Sequence, residues 1–549
     1  MNQQPDDSAP SLTRRHALLG GAAAAGAVLS SGLFSSTAAA AAAAPGAPAT
    51  GPRALVDLTR GTSAFPHVWE RAIAGDWAKQ ALRRDYQDQL FTCHDELGIQ
   101  SLRFHGIFNT SMSTADATYN GGRTRNPSYT QDNYSWFNIT QIYDALVDHG
   151  MHPFVELSSM PESLQASAPP FRGLLFDFNQ MAPKDFAAWG NLVGAFAKHM
   201  VDRYGLAEVR TWPFEVWNEP NLFTFYDGDQ QSYFNLYRAA AEAIKNVDAS
   251  LQVGGPATSA GQFSFGPPRT LGTQYYREFM QWATTNNVPV DFGTAHGYET
   301  DREIGPEGTA SFFRQNRADT PAGLPLYITE VNVSSTNHPK LDTSEAAASF
   351  LRTVVETVGV VDALAIWTFS DIYEELTQAD NPFHGGFGLQ TIHGVKKPLY
   401  RLLQILHHVG DRRLPLALTG APATVGGIAV AKDDGEVDVL LYNHALAGPN
   451  QAPAETATLT VSVSGVAPGA KARIQCIDED HTNPYREWLD LGSPEYPTRP
   501  QLRALNDASE LHERNLDLDG SRGSREATFT ITLPAEGIAA VHIAQGSRA

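Results

Sequence analysis

Cysteine is almost missing from this chain: Cys93 and Cys476 are the whole supply. Two thiols so far apart in sequence cannot build a disulfide framework or the usual zinc clusters, and they read as unpaired buried thiols. Positive charge is short as well, with 40 Lys and Arg against 60 Asp and Glu and a formal net charge of -20. A surface with that balance repels phosphate backbones, which argues against a nucleic-acid partner. Beyond the first 44 residues no run is apolar enough to span a bilayer. Neither a Walker loop nor a Gly-x-Ser-x-Gly elbow occurs. His149-x-x-His152 has the wrong spacing and no acidic partner for a zinc protease, and Gly385-Gly-Phe-Gly388 sits in no βαβ unit. Nothing in the pattern calls for a metal or an organic cofactor.

What is present is ample globular material: 549 residues, 42% hydrophobic and 18% charged, enough for two or three domains. Thr13-Arg14-Arg15-His16-Ala17-Leu18-Leu19 leads into a weakly apolar Ala/Gly/Leu run through Ala44, with Ala-x-Ala sites near its end. That layout predicts a cleaved twin-arginine export signal over 1–44 and a secreted protein with no membrane span once the signal is gone. A transmembrane anchor is the alternative, but an Ala- and Gly-rich run partitions poorly into hydrocarbon. Residues 45–59 form a linker and a short strand, Ala54-Leu-Val-Asp-Leu58, that is expected to pair into the C-terminal sheet.

From 60 to 408 short apolar runs alternate with longer amphipathic stretches. Strands are expected at 68–73, 101–108, 152–157, 210–217, 251–254, 291–295, 326–329 and 363–367, with helices such as 184–204 and 231–246 between them. This alternation predicts an α/β fold, a (β/α)8 TIM barrel. An open doubly wound sheet is the competitor, but no Gly-rich phosphate loop follows the first strands. From 409 to 549 the period changes: Val437-Asp-Val-Leu-Leu-Tyr442 and Ala457-Thr-Leu-Thr-Val-Ser-Val463 alternate apolar and polar residues between turn formers. These predict an accessory antiparallel β-sandwich domain.

Two predicted strands end in glutamates. Phe214-Glu-Val-Trp-Asn218-Glu219-Pro-Asn221 closes the fourth, and Leu326-Tyr-Ile-Thr-Glu330-Val-Asn332 closes the seventh. Barrel active sites gather at the C-terminal ends of the strands, and strands four and seven face one another across the mouth. Glycosidic cleavage asks for such a pair: one carboxyl protonates the leaving oxygen, the other attacks or stabilises the anomeric carbon. A separation of about 5–5.5 Å makes the reaction retaining, about 6.5–9.5 Å inverting. A lone strand-end Glu would pass for a solvated or capping carboxylate; two in such apolar, Asn-containing contexts do not.

With those residues on view, the chain resembles the retaining clan A glycoside hydrolases, and within them family 39. The likeness is carried by Trp217-Asn218-Glu219-Pro220-Asn221, Ile328-Thr-Glu330, His67-Val-Trp69, Arg103-Phe-His105-Gly106, Trp367-Thr-Phe-Ser-Asp371 and Phe383-His-Gly-Gly-Phe-Gly-Leu389. It runs from about residue 60 to 405. The resemblance implies Glu219 as acid/base, Glu330 as nucleophile, and Asn218 on the hydroxyl next to the anomeric centre. It implies an exo-acting enzyme on oligosaccharides, with β-xylosidase first and an arabinofuranosidase of plant arabinogalactan as rival. A non-catalytic carbohydrate-binding protein is the alternative from another class. His105 and His296, at the ends of strands two and six, are expected to contact sugar hydroxyls or the catalytic carboxylates. Tyr298 is expected to hold the nucleophile or line the pocket, and Trp367 to offer its face to the sugar. Glu374, with Glu375 beside it, is expected to bind an outward hydroxyl, and Glu156 to pair with Arg103.

Overall fold

The computed structural model describes residues 51–545 apart from 116–117, 120–122, 125–133, 170–177, 262–269, 302, 377–378, 380, 449–450 and 520–524. Residues 1–44, where an export signal is expected, lie outside the described residues. Among the described residues no helix is long and apolar enough to cross a membrane.

A curled sheet of six parallel strands forms the centre, in the order Val155–Leu157, Pro213–Val216, Gln252–Ser259, Phe292–Tyr298, Leu326–Asn332 and Ala363–Ile366. A second parallel sheet carries Ile73–Trp77, Ser101–His105 and His152–Pro153. The two are stitched at both sides: the Phe154 N–H donates to Leu102 O at 3.0 Å, and Ala74 bridges Trp367 in parallel. The arrangement is TIM-like. All seven residues of Leu326–Asn332 and of Phe292–Tyr298 are buried, as parallel strands covered on both faces require.

Helices return the chain between strands. Phe186–Tyr204 starts at an Asp185 cap that accepts from the Ala187 N–H, and Gln230–Val247 at Asp229, which accepts from Ser232. Their apolar positions recur at helical spacing, so that Trp189, Leu192, Val193, Phe196 and Met200 face the core.

The first barrel strand departs from expectation. Residues 66–71 turn, with the Val68 N–H on Pro66 O and the Glu70 N–H on His67 O, and the strand is Ile73–Trp77. Pro66 breaks the extended run, while Ile-Ala-Gly-Asp-Trp is too poor in β-branched residues to announce itself.

The C-terminal part holds two largely antiparallel sheets. One has four strands ordered Leu416–Thr419, Arg53–Asp57, Ala457–Ser464 and Glu526–Leu533; the other has seven, centred on Val425–Ala431, Val437–Asn443 and Gly537–Ala544. The N-terminal strand does pair here, parallel to Ala457–Ser464 and antiparallel to Leu416–Thr419. Val437–Asn443 is buried on both faces. Val437, Val439 and Leu441 join a core shared by the two sheets, while Leu440 and Tyr442 join the core of the parallel sheets. Period-two alternation therefore serves two cores at once.

Candidate active site

The segment that carries the first glutamate is bent by force. Trp217 and Glu219 both have positive φ, 74° and 42°, a costly backbone for side chains with a Cβ. The neighbours hold it: the Glu219 N–H donates to Ala257 O (2.9 Å), Leu222 N–H to Glu219 O (2.9 Å), and Trp217 Nε1–H to Phe225 O (2.8 Å). The turn aims Glu219 inward at the end of Pro213–Val216.

Glu330 faces it from Leu326–Asn332. One oxygen of each carboxylate and a nitrogen of His296 all lie within 4.8 Å of one another. Arg103 donates to Glu330 Oε1 at 2.8 Å and the Tyr298 hydroxyl donates to Glu330 Oε2 at 2.5 Å. Both carboxyls open into a cavity of about 250 Å³ that Trp367, Tyr298, Phe225, Asp301, Glu375 and Phe387 also line. A larger opening of about 500 Å³ lies between helix Pro398–His408 and the seven-stranded sheet. Neither Glu219 nor Glu330 reaches it, and size alone does not locate chemistry.

Arg103 is the hub beneath. Fully buried, it donates from Nε to Glu215 Oε2 (2.6 Å), from Nη2 to Asn218 Oδ1 (2.9 Å), and pairs with Glu156 (2.9 Å). Burial works against its charge, but these carboxylates outweigh it and raise its pKa further. The expected Glu156–Arg103 pair is in place. Its extension to Glu330 was not foreseen, although Arg103 and His105 alternate inward along Ser101–His105.

The two glutamates sit in different surroundings. Burial first, then repulsion from Glu330, hold Glu219 well above the usual carboxylate range, with the Ser259 hydroxyl bond opposing. Arg103 and Tyr298 spend their donors on Glu330 instead. A Glu219 with a raised pKa facing a Glu330 held by two donors is an asymmetry of the kind that glycosidic cleavage uses.

His296 is neutral: burial and the charges of Arg103 and His105 hold its pKa well below that of free imidazole. Its Nε2 lies 3.1 Å from Thr329 Oγ1, whose own proton goes to Glu215 Oε1 at 2.8 Å. Arg103 Nη2, which can only donate, lies 3.5 Å from the same Nε2, and Nδ1 lies 2.9 Å from Glu219 Oε1. His105 behaves oppositely. Burial lowers its pKa, but Glu156 at 2.7 Å, with Glu330 and Glu375, brings it up to about 9.

The expected residues are placed as follows. Tyr298 and Trp367 line the cavity. His105 and His296 do not; both stand behind the carboxylates, His105 3.7 Å from Glu330. Asn218 Nδ2 is buried without a hydrogen-bond partner among the described residues. Of the adjacent pair, Glu375 lines the cavity and accepts from the Tyr373 hydroxyl at 2.5 Å, while the Glu374 backbone N–H is tied to Asp76 at 2.7 Å. Asp301 and Ser259 complete the lining unannounced, since neither lies in a recognisable motif.

Among the described residues, Glu219, His296 and Glu330 are the one cluster with metal-ligand types at ligand spacing. Its donors are already engaged: Glu330 by Arg103 and Tyr298, and His296 Nδ1 by Glu219. That donor set fits proton transfer better than a cation.

A curled parallel sheet with two facing glutamates at its strand ends, one buried with a raised pKa and one ion-paired, is the arrangement of a glycoside hydrolase. Known proteins agree. The sequence profile of Glycosyl hydrolases family 39 matches residues 53–516. A beta-xylosidase of Caldicellulosiruptor saccharolyticus is 36% identical over 498 residues, 87% of this chain and 95% of that protein. A beta-xylosidase of Geobacillus stearothermophilus is 31% identical, covering 82% of this chain and 88% of its own length. The crystal structure of a monomeric beta-xylosidase from Caulobacter crescentus CB15 superposes with a TM-score of 0.75 at 30% identity, over 90% of this chain and 99% of that one. The chain belongs to glycosyl hydrolase family 39.

Proposed function

We propose that this protein is a secreted, retaining exo-β-xylosidase that releases terminal xylose from xylo-oligosaccharides. The observation that carries the proposal is that one oxygen of Glu219 lies within 4.8 Å of one oxygen of Glu330, a closeness that supports a retaining pair over an inverting one. The beta-xylosidases among its relatives support the choice of sugar.

In the first half-reaction Glu330 attacks the anomeric carbon while Glu219 passes its proton to the departing oxygen. Glu219, now ionised, takes a proton from water, which displaces Glu330 and restores both groups. Arg103 and Tyr298 orient the nucleophile and share its charge; His296, 2.9 Å from Glu219 Oε1, holds the acid in place. Trp367, nearly buried against His105 with ring centroids 4.7 Å apart, offers its face to the pyranose. Asn218 Nδ2 is left to meet the hydroxyl beside the anomeric centre. The parallel sheets are read as a complete (β/α)8 barrel over 60–408, the antiparallel sheets as an accessory β-sandwich over 409–549, and residues 1–44 as a removable export signal.

The test is proton NMR of wild-type protein cleaving xylobiose, with nitrophenyl arabinofuranoside run in parallel. β-Xylose as the first product is expected. α-Xylose first would mean inversion, and cleavage of the arabinofuranoside alone would replace the sugar while leaving the two-glutamate chemistry.

A further inference from the structure

Asp301 lies three residues beyond the Phe292–Tyr298 strand and puts its carboxyl into the same cavity as Glu219 and Glu330, with 7% of its surface exposed. Its Oδ1 accepts from the Ser335 hydroxyl at 2.6 Å, and its Oδ2 faces the Tyr298 N–H at 3.3 Å. Among the described residues no Lys or Arg pairs with it. Burial pushes the carboxyl up to about 7 against those two bonds. Each oxygen keeps a lone pair for another donor, and a buried carboxyl without a cation is satisfied only by hydrogen bonds.

The neighbours fix which donors can arrive. Ser259 bonds Glu219, so it marks the side on which the acid delivers its proton. Gly261 stands between Ser259 and Asp301: a Cβ there would lie 3.2 Å from Ser259 Oγ and 3.5 Å from Asp301 Oδ1. The missing side chain leaves a gap next to the proton donor, rimmed by the exposed Thr300 and Thr336. The aromatic lining of Trp367, Tyr373 and Phe387 belongs instead to the segment after Ala363–Ile366. A departing sugar must sit where Glu219 protonates it, hence along the wall made by Ser259, Gly261 and Asp301.

We propose that Asp301 is a specificity-determining residue that binds hydroxyls of the leaving-group sugar, so that the enzyme favours a second saccharide over a hydroxyl-free aglycone. This rests on the retaining β-xylosidase reading. Asp301 carries the leaving-group subsite and Ser335 orients it.

The experiment compares kcat/KM on xylobiose with kcat/KM on 4-nitrophenyl β-D-xylopyranoside for wild type, D301A and G261A. The aryl group brings no sugar hydroxyls to the wall. Loss of a hydrogen bond to a carboxyl should lower the xylobiose-to-aryl ratio of D301A by about tenfold or more. G261A, which crowds the gap and keeps every catalytic group, should lower it by about threefold or more. A ratio within about twofold of wild type in both variants, or equal losses on both substrates, would place Asp301 against the xylose ring or outside the reaction and overturn the inference. If D301A does not fold, G261A decides alone. Wild-type protein inactive on both xylosides sinks the β-xylosidase reading itself, a result that the ratio cannot mimic.

Discussion

Tyr298 and Glu330 share a short polar contact at the mouth of the parallel sheets, a 2.5 Å bond from phenol to carboxylate. Burial and the surrounding carboxylates raise the Tyr298 pKa well above its ordinary value, so the proton stays on the phenol and the bond keeps its direction. On the proposed assignment Tyr298→Phe removes one of two donors holding the nucleophile. A charge-assisted bond of this kind is worth about 1.5–3 kcal/mol, so kcat/KM on aryl xylosides should fall roughly 10- to 100-fold. An unchanged rate would mean that the bond serves packing alone.

The two glutamates are separable by rescue. Glu330→Ala should cost about 10⁴-fold or more in kcat, and added azide should then yield the α-glycosyl azide, because the anion replaces the nucleophile on its own face. Glu219→Ala with an activated aryl xyloside should yield the β-azide. Swapped products would exchange the roles.

The pH profile follows from the environment of Glu219. Cleavage needs it protonated, and its raised pKa carries that form above the ordinary carboxylate range. Activity on substrates with poor leaving groups should therefore fall as pH rises through the Glu219 value, and this basic limb should vanish in Glu219→Ala assayed on a good leaving group. A limb that persists in the variant belongs to another group.

His444 makes a prediction about stability. It is buried between Glu299, 2.9 Å away, and Glu536. Burial lowers its pKa, but the two carboxylates outweigh that and bring it up to about 9. A group raised in the folded state stabilises fully below its unfolded value, near ~6.5, and loses the effect as pH climbs through the folded one. The ceiling is on the order of 3 kcal/mol. His444→Gln should melt below wild type at pH 6, with the gap closing towards pH 9.5; a constant gap would deny the charge its role.

Much of this was legible because periodicity and strand ends carry information. Strands such as Leu326–Asn332 and helices such as Phe186–Tyr204 follow from apolar spacing, and Glu219 and Glu330 both sit at strand ends, where TIM-like folds gather their chemistry. What stayed hidden was relational. Arg103 reads as a partner for one carboxylate, but its guanidinium has five donors, and only the fold reveals how many acids converge on it. Glu374 and Glu375 are adjacent, and no local rule says which points inward until the Glu374 N–H is found anchored on Asp76. The helices Pro484–Asp490 and Arg499–Ser509 interrupt a region patterned as strands, and their start signals, Pro484 after Asn483 and Pro500 two residues after Thr498, are too short-range to stand out.

The strand Val437–Asn443 has an implication for anyone cutting this gene. Its even-numbered side chains Leu440 and Tyr442, with Ile428, Val430 and Ile538, are packed into the apolar interior of the enzymatic half. Removing everything after residue 409 would take these five side chains away and bare to water the apolar surface of the parallel-sheet part on which they pack. The catalytic portion is thus a poor candidate for an excised module, and fusions should be joined to the outer four-stranded sheet, where no second interior is opened.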